Sequence, residues 1–219
     1  MATLAILPVK SFAAANQRLE HELTEGTRRA LAEAMFSDVL VALRRAKSVD
    51  GILVVTADNG AAQIAGGHGA AALDANEDGH NPAAALGIGW ARESGADRVL
   101  LVPGDCPLLV PDQLDELIGR PAEPRSVLIV PDRHGDGTNA LLLSPPDSLA
   151  PAFGPGSRER HFANARTTGV APEVVEVPSL ALDVDTPEDL ATLQEVLASM
   201  HGAAANTRGM LSQLLRSRL

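Results

Sequence analysis

Three aspartates have the spacing that points most directly to chemistry. Asp183 and Asp185 stand two residues apart in the segment LALDVD, and Asp105 follows the apolar run RVLLVPG. Residues two apart on a strand point to the same face, so a strand over LALDVD would bring both carboxylates together. Because two like charges repel each other, this arrangement favours a cation between them. Mg²⁺ is the predicted cation, since it prefers oxygen ligands and shares its site with substrate phosphates.

A structural interpretation of the same aspartates stays open. Asp105 lies in the turn PGDCP, and Gly-Asp is common in turns. Asp185 or Thr186 could cap the last helix, and Glu188 could then close a capping box. Capping explains Asp185 but leaves Asp183 unexplained, so the pair favours the metal site.

The loop after the first predicted strand, PVKSFAAANQRL, carries the cations Lys10 and Arg18 among small residues. Such a loop could surround a polyphosphate, with the two cations neutralising its charge. The loop has neither a Walker sequence nor the glycines of a dinucleotide-binding motif. A solvated basic loop is the alternative, and the segment alone does not decide between the two.

Two glycine-rich segments could bind an anion. Backbone N–H groups of the turn that contains Gly135, Gly137 and Thr138 could surround one. The segment FGPGS, residues 153–157, offers a second such loop before a helix predicted to start at Ser157. Ser157 as a helix cap is the structural alternative, and capping does not forbid anion binding at the same place.

The histidines and the cysteine are assigned no part in catalysis. Cys106 has no inferable arrangement of His and Asn around it, so a nucleophilic role is not expected. A single cysteine also excludes a disulfide framework and fits a reducing compartment. The loop histidines lack metal-ligand spacing and are interpreted as surface residues: His68, His80, His134 and His161.

The chain predicts an α/β scaffold for these side chains. Short β-branched or leucine-rich runs alternate with alanine-rich amphipathic stretches, the pattern of a sheet with helices on both faces. Residues 24–46 predict a long helix, and Asn81 and Pro82 are predicted as the N-cap and first residue of another. The turn HGDGT is too short for a crossover, which predicts an antiparallel pair in a mixed, mostly parallel sheet. The last two predicted strands are VVEVPS and LALDVD.

Domain organisation follows from the same pattern. No linker or repeat divides the chain, so we expect one domain over residues 1–200 and a tail, 201–219, whose segment MLSQLL favours a surface helix. Open α/β sheets bind ligands at the carboxyl ends of their strands. The polar residues that directly follow the apolar runs are therefore the candidates for binding a ligand. Asp58 and Asp132 are two further candidates of this kind.

Composition excludes several classes of protein. The chain has 219 residues, of which 18 are Lys or Arg and 28 are Asp or Glu, so its formal net charge is −10. With 2% aromatic residues there is little to stack on bases, and the negative charge repels nucleic-acid backbones. With no apolar stretch long enough to span a bilayer and no basic, apolar leader at the start, we expect a cytoplasmic protein without a membrane partner.

Five segments, taken in order, resemble one family. They are PVK with a downstream RL, PGDCPLL, PDRHGDGTNALLL, FGPGS with Arg160 and His161, and LDVDTPEDL. This order resembles the guanylyltransferases of deazaflavin coenzyme (coenzyme F-420) biosynthesis, which act on 2-phospho-L-lactate or, in many bacteria, on phosphoenolpyruvate. The resemblance covers residues 5–193. It implies a Rossmann-like nucleotidyltransferase fold of the nucleotide-diphospho-sugar transferase type.

The resemblance also implies roles for the charged residues. Asp105, Asp183 and Asp185 would be the catalytic carboxylates that hold Mg²⁺. The loop that contains Lys10 and Arg18 would contact the phosphates of GTP.

Uncharged residues receive roles in the same way. The resemblance implies that Thr138, Gly154 and Ser157 bind the three-carbon phospho-acid, at its carboxylate, and that the segment around Asn81 meets the nucleoside. The chain departs from the family pattern at Asn16, where a lysine is usual, and one phosphate contact is affected by this change. His80 stands where an apolar residue is usual.

The expected reaction is transfer of GMP from GTP to phosphoenolpyruvate, which releases diphosphate and forms enolpyruvyl-diphosphoguanosine. Three alternatives stay open: the same chemistry on 2-phospho-L-lactate or 3-phospho-D-glycerate, a metal-dependent glycosyltransferase with an Asp-x-Asp pair, and a non-catalytic nucleotide-binding module. The resemblance implies a downstream transferase as partner, and the protein is expected to be a monomer or a homodimer.

Overall fold

The computed structural model describes residues 1–75, 79–120, 123–200 and 202–217, without the side chain of residue 217. Its strands are β1 (Thr3–Pro8), β2 (Gly51–Thr56), β3 (Ala71–Asp74), β4 (Arg98–Leu101), β5 (Ser126–Pro131), β6 (Thr138–Ser144) and β7 (Pro172–Val174). Its helices are α1 (Glu25–Arg45), α2 (Asn59–Gly67), α3 (His80–Glu93), α4 (Pro111–Ile118), α5 (Ser157–Thr167), α6 (Pro187–Ser199) and α7 (Ala205–Ser217). Short 3-10 turns are formed by Phe12–Ala14, Gln17–Leu19 and Pro178–Leu180.

These strands form one sheet in the order β3-β2-β1-β4-β6-β5-β7. Strand β6 is antiparallel to both of its neighbours, and the other pairs are parallel. The predicted antiparallel pair is therefore confirmed as β5 and β6, because residues 132–137 are too few for a crossover. The mixed, mostly parallel sheet predicted from the sequence is confirmed with it.

The alternation of side chains along the strands divides the core between the two faces of the sheet. On β1, Ala5 and Leu7 pack on one face with α1, α2 and α4, whereas Ile6 packs on the other with α3 and α5. Helices α6 and α7 form a further apolar cluster with Met35 of α1. Within the described ranges, no helix is both long and apolar enough to cross a membrane.

Helix α1 confirms the long helix predicted over residues 24–46. Thr24 is its N-cap, and its hydroxyl accepts a hydrogen bond from the backbone N–H of Thr27 at 3.3 Å. Arg44 and Arg45 lie in the last turn, where a positive charge interacts favourably with the helix dipole.

The C-terminal helix α7 confirms the helix favoured in the tail. The buried carboxylate of Asp38 on α1 accepts hydrogen bonds from the backbone N–H groups of Asn206 and Thr207, at 3.0 and 2.8 Å. These bonds satisfy N–H groups at the start of α7 that have no partner within the helix, and they attach α7 to α1. Residues 201, 218 and 219 of the predicted tail lie outside the described part of the chain.

The start of α5 at Ser157 is confirmed, but two N-caps differ from those considered from the sequence. Helix α3 begins at His80, so its N-cap is Gly79 rather than Asn81. Helix α5 begins at Ser157, but its N-cap is Gly156. Both glycines have positive φ, 111° and 68°, which a glycine adopts without the steric cost that a Cβ atom imposes.

The two last predicted strands are also placed differently. Strand β7 is Pro172–Val174 and ends where VVEVPS was expected to begin. The segment LALDVD is irregular, with no strand pairing in the structure. Its position depends on contacts outside the sheet, among them the hydrogen bond from the N–H of Val184 to the carbonyl oxygen of Asp105, at 3.2 Å.

Candidate functional site

A cleft of about 890 Å³ opens at the carboxyl ends of β1 and β4. The chain runs from β1 to β2 and β3 on one side and returns to β4 on the other side of β1. The ends of two strands whose connections diverge in this way leave a crevice, the usual ligand site of an open α/β sheet. Lys10 after β1 and Asp105 after β4 both line it.

The three candidate carboxylates lie in this cleft together. Asp183 and Asp185 line it, while Val184 between them is fully buried, so the alternation expected of a strand persists without a strand. Burial, followed by the nearby charges of Asp185 and Asp183, raises the pKa of Asp105 to about 8.

The buried amide of Asn139 orients Asp183. Its Nδ2 atom donates hydrogen bonds to Oδ1 of Asp183 at 3.2 Å and to the carbonyl oxygen of Leu180 at 2.7 Å. Burial raises the pKa of Asp183, and the hydrogen bond from Asn139 opposes this rise. From the sequence, Asn139 was a candidate only as a member of the glycine-rich turn, because no local pattern relates it to Asp183.

Thr186 rather than Asp185 caps the last helix. The hydroxyl of Thr186 accepts the N–H of Asp189 at 3.2 Å, and the carboxylate of Asp189 accepts the N–H of Thr186 at 2.8 Å. A capping box joins the N-cap to the third helical residue, which is Asp189. The expectation that Glu188 closes the box is therefore wrong, and the carboxylate of Asp185 is not occupied by capping.

The carboxylates fit a hydrated divalent cation better than a closed metal cage. Among the described residues, no group of three His, Cys, Asp or Glu side chains forms a metal site by itself. Mg²⁺ commonly takes one or two carboxylates and completes its shell with water and substrate phosphates. Oδ1 of Asp105 is buried without a hydrogen-bond partner in the described structure, as a ligand atom for such an ion would be.

The loop with the two cations faces these carboxylates. Lys10 and Arg18 both line the cleft. Between them Asn16 has φ 51° and ψ 40°, a left-handed conformation that asparagine tolerates better than most residues. Its Nδ2 atom donates to the carbonyl oxygen of Val184 at 3.2 Å, so the residue at the usual lysine position joins the loop to the aspartate segment.

Two further candidate aspartates stabilise loops. Asp58 accepts the N–H of Phe12 at 2.9 Å with one oxygen and caps α2 with the other. Asp132 lines the cleft, and its carboxylate accepts the N–H groups of Asp136 and Gly137, both at 3.1 Å. Both carboxylates thus hold backbone segments that border the cleft.

One wall of the cleft contains Thr138, Gly154 and Ser157. Thr138 begins β6, and Ser157 begins α5, so a helix N-terminus lies beside the cleft. His161, one turn along α5, is fully buried and contacts Thr138, with 3.0 Å between Nδ1 and Oγ1. Its interpretation as a surface residue is wrong. Its spacing of four from Ser157, which places both on one helix face, was the available signal.

Asn81 and His80 lie beside the same wall. Both polar atoms of the Asn81 amide bind the backbone of Phe153: Nδ2 donates to its carbonyl oxygen at 3.1 Å, and Oδ1 accepts its N–H at 2.7 Å. A contact between Asn81 and a nucleoside stays a prediction. His80 lines the cleft, and burial, followed by the charge of Lys10, lowers its pKa to about 4. His80 is half-buried in the cleft, rather than fully buried like His161.

A family model described as "Guanylyl transferase CofC like" matches residues 3–217, nearly the whole chain. The chain belongs to the CofC-like guanylyl transferase family. The resemblance carried by the five sequence segments is thereby confirmed.

The names of the relatives of the CofC-like chain state different phospho-acid substrates. It is 56% identical to a phosphoenolpyruvate guanylyltransferase from Conexibacter woesei, over 99% of this chain and 98% of the relative. It is 33% identical to a 2-phospho-L-lactate guanylyltransferase from Methanothermobacter thermautotrophicus, over 98% and 92% of the two chains. A 3-phospho-D-glycerate guanylyltransferase from Colwellia psychrerythraea is also 33% identical, over 88% and 91%.

Solved structures place the fold of the CofC-like chain in a wider group. A protein from Desulfovibrio desulfuricans G20, assigned to the nucleotide-diphospho-sugar transferases, superposes with a TM-score of 0.76 over 97% of this chain and 95% of its own. The two sequences are 15% identical, so this likeness concerns the fold alone. The predicted fold type is confirmed.

Proposed function

We propose that the protein transfers GMP from GTP to the phosphate of phosphoenolpyruvate, releasing diphosphate and forming enolpyruvyl-diphosphoguanosine. The observation that carries the proposal is the 56% identity, over nearly the full length of both chains, to a relative with that name. The cleft supports it, because carboxylates and cations that suit a polyphosphate face a wall that suits a small acid.

In this proposal, the two substrates bind to different residues of the cleft. Lys10 and Arg18 bind the phosphates of GTP, where their charges offset those of the polyphosphate. Thr138, Gly154 and Ser157 bind the carboxylate of the acid. A carboxylate at this place also meets the N-terminus of α5, whose dipole favours negative charge.

The chemistry requires little from the side chains beyond position. The attacking phosphate is already anionic near neutral pH, so no general base is needed. The reaction then depends on holding the attacking oxygen, the α-phosphorus and the leaving diphosphate in line, and on screening their charges. The cleft between β1, β4 and α5 provides the alignment, and its cations provide part of the screening.

Asp105, Asp183 and Asp185 are the proposed holders of Mg²⁺. The ion, when bound, would neutralise charge on the phosphates and polarise the phosphorus. The residues themselves supply oxygen ligands whose mutual repulsion a cation relieves. Asn139 and the backbone of Val184 hold two of these aspartates in place.

The test is a panel of acceptors with GTP and Mg²⁺. Diphosphate release is measured with phosphoenolpyruvate, 2-phospho-L-lactate and 3-phospho-D-glycerate in turn, and the product is identified by mass spectrometry. Fastest turnover with phosphoenolpyruvate, giving the mass of its guanosine diphosphate adduct, is the expected result. Faster turnover with another acid would make that acid the acceptor in place of phosphoenolpyruvate. Binding of GTP without diphosphate release in the presence of any of the acids would favour a nucleotide-binding module. Turnover of a sugar nucleotide instead would indicate a glycosyltransferase.

The proposal also covers the partner enzyme, the location of the reaction and the oligomeric state. The anhydride product is labile, so a downstream transferase of coenzyme F-420 biosynthesis is the proposed recipient. The reaction would take place in the cytoplasm, with the protein as a monomer or a homodimer. Size-exclusion chromatography with light scattering measures the oligomeric state directly.

A further inference from the structure

The buried imidazole of His161 makes two hydrogen bonds whose directions are mutually dependent. Nε2 accepts the backbone N–H of Ala152 at 2.8 Å, and a backbone N–H can only donate. Nε2 is therefore without a proton, and a neutral imidazole then carries its proton on Nδ1. Nδ1 lies 3.0 Å from Oγ1 of Thr138, so it donates to this hydroxyl.

This direction determines what the hydroxyl of Thr138 can do. Oγ1 accepts from His161, and no other partner of this hydroxyl occurs among the residues that the structure describes. Its own hydrogen is available to be donated, and Thr138 lines the cleft. A hydroxyl held in this way presents a donor to an anionic ligand.

The same imidazole also holds the loop on the other side of the acid site. Ala152 precedes Phe153, whose ring meets the ring of His161 edge-on with 5.0 Å between centroids. The backbone of Phe153 is held in turn by both polar atoms of Asn81. His161 thus connects Thr138 on β6 to the loop 152–157, and the two segments form one wall of the cleft.

We propose that His161 is a positioning residue for the acceptor acid: its Nδ1–H orients the Thr138 hydroxyl to donate to the carboxylate of that acid. This inference rests on the proposed function and adds to it a specificity-determining residue that does not itself touch substrate. The substrate class is a three-carbon phosphorylated carboxylic acid, and GTP binding does not depend on His161.

Two substitutions separate the two hydrogen bonds. In His161→Asn, the amide nitrogen lies near the position of Nδ1 and keeps a donor to Thr138. In His161→Gln, the amide oxygen reaches the position of Nε2 and keeps an acceptor for Ala152, but the donor to Thr138 is lost. Thr138→Val removes the hydroxyl with little change in volume. Thermal unfolding of each variant shows whether the fold is retained.

The KM values for the acid and for GTP are then compared. His161→Gln is expected to raise the KM for the acid about tenfold, the scale of one hydrogen bond to a charged ligand, with a much smaller rise in His161→Asn. The KM for GTP is expected to stay near that of the unsubstituted protein. The KM for the acid in the double variant His161→Gln/Thr138→Val should be close to that in Thr138→Val alone, because both substitutions affect the same hydroxyl donor. Equal effects of Asn and Gln, an equal rise for GTP, or additivity would overturn the inference.

Long-range nitrogen NMR of the imidazole provides a second readout that needs no turnover. A proton on Nδ1 and a bare Nε2 are expected for His161, and a proton on Nε2 would overturn the inference. A protein with the expected imidazole that turns over none of the three acids would instead contradict the proposed function. The two failures are therefore distinguishable.

Discussion

Arg133 and Asp189 form an ion pair behind the aspartate segment, with 2.7 Å between Nη2 and Oδ1. The other oxygen of Asp189 accepts the backbone N–H of Asp185 at 3.2 Å and that of Thr186 at 2.8 Å. One carboxylate thus links an arginine after β5 to the backbone at the start of α6. The direction in which Asp185 enters the cleft depends on this pair.

Asp189→Asn is expected to destabilise the fold by about 2 kcal/mol, because it weakens hydrogen bonds of a buried carboxylate and leaves Arg133 without its closest charge. Glu188→Gln is the matched control, since Glu188 also contacts Arg133, at 3.2 Å, but its side chain is 78% exposed. We expect the control to lose less than about 1 kcal/mol. Urea unfolding of both variants measures the difference. Equal losses would show that the burial of Asp189 is not what matters.

Asp105→Asn and Asp183→Asn are each expected to lower turnover about 100-fold or more, the scale of removing one group that stabilises transition-state charge. Without divalent cations, neither variant should be less stable than the original protein, because burial and mutual repulsion disfavour these charges in the fold. Diphosphate release and thermal unfolding are measured on the same samples. Near-normal turnover in both variants would remove the metal assignment.

The same two variants test ion binding without catalysis. Mg²⁺ should raise the unfolding temperature of the original protein and raise it less in either variant, since a ligand of the folded state stabilises it. Asp132→Asn is the control within the cleft, because the carboxylate of Asp132 accepts hydrogen bonds from backbone N–H groups. It should lower stability while keeping the response to Mg²⁺. Identical Mg²⁺ responses in all variants would point to a non-specific effect of salt.

His80 and His161 are each expected to lower stability as the pH decreases from about 6.5 to about 4, whereas the raised pKa values of Asp105 and Asp183 act in the opposite direction. Burial, followed by the charge of Arg160, lowers the pKa of His161 from 6.5 to about 4, and burial lowers that of His80 similarly. Between these values each of these histidines binds more protons in the unfolded chain than in the folded one, so its own contribution favours unfolding in acid.

This dependence can be measured by urea unfolding across the interval. His161→Gln should remove the contribution of His161 and so change the slope of stability against pH by at most about 1.4 kcal/mol for each pH unit. His21→Gln is the control, because the side chain of His21 is 89% exposed and solvent surrounds it in both states. A His161→Gln curve parallel to the original would contradict the assignment to His161.

Gly87→Ala is expected to destabilise the protein by about 1 kcal/mol or more, because overpacking outweighs the gain in helix propensity. A Cβ atom there would lie 2.6 Å from Cγ2 of Ile6 and 3.1 Å from Cγ2 of Val55, where α3 approaches the sheet. Gly89→Ala, two residues along the same helix, meets nothing within 4 Å and should stabilise by about 0.5 to 1 kcal/mol. Thermal unfolding compares them, and a shift of the same sign for both would contradict the close packing.

Local signals in the sequence predicted much of the scaffold. The long helix α1 was predicted from apolar residues four apart, and that spacing lies within the helix itself, so it is visible without the fold. The short turn between β5 and β6 dictated an antiparallel pair for the same reason. Asn81 and Ser157 were misplaced as caps because glycines with positive φ precede both helices, and φ is not visible in a list of residues.

Asp183 and Asp185 lie on a segment that pairs with no strand, so chain order alone did not determine their place in the cleft. The sequence by itself did determine which side chains follow the strands, and therefore that Lys10 and Asp105 could meet at one edge of a sheet. Parallel strands bring their carboxyl ends to a common edge, so chain order was sufficient for that conclusion. Only the tertiary structure decided how these groups are held. Asn139 reaches an aspartate 44 positions away, and the burial of His161 depends on which face of a polar helix meets the sheet. Contacts between distant segments depend on the packing of the whole chain, and no local pattern of residues encodes them.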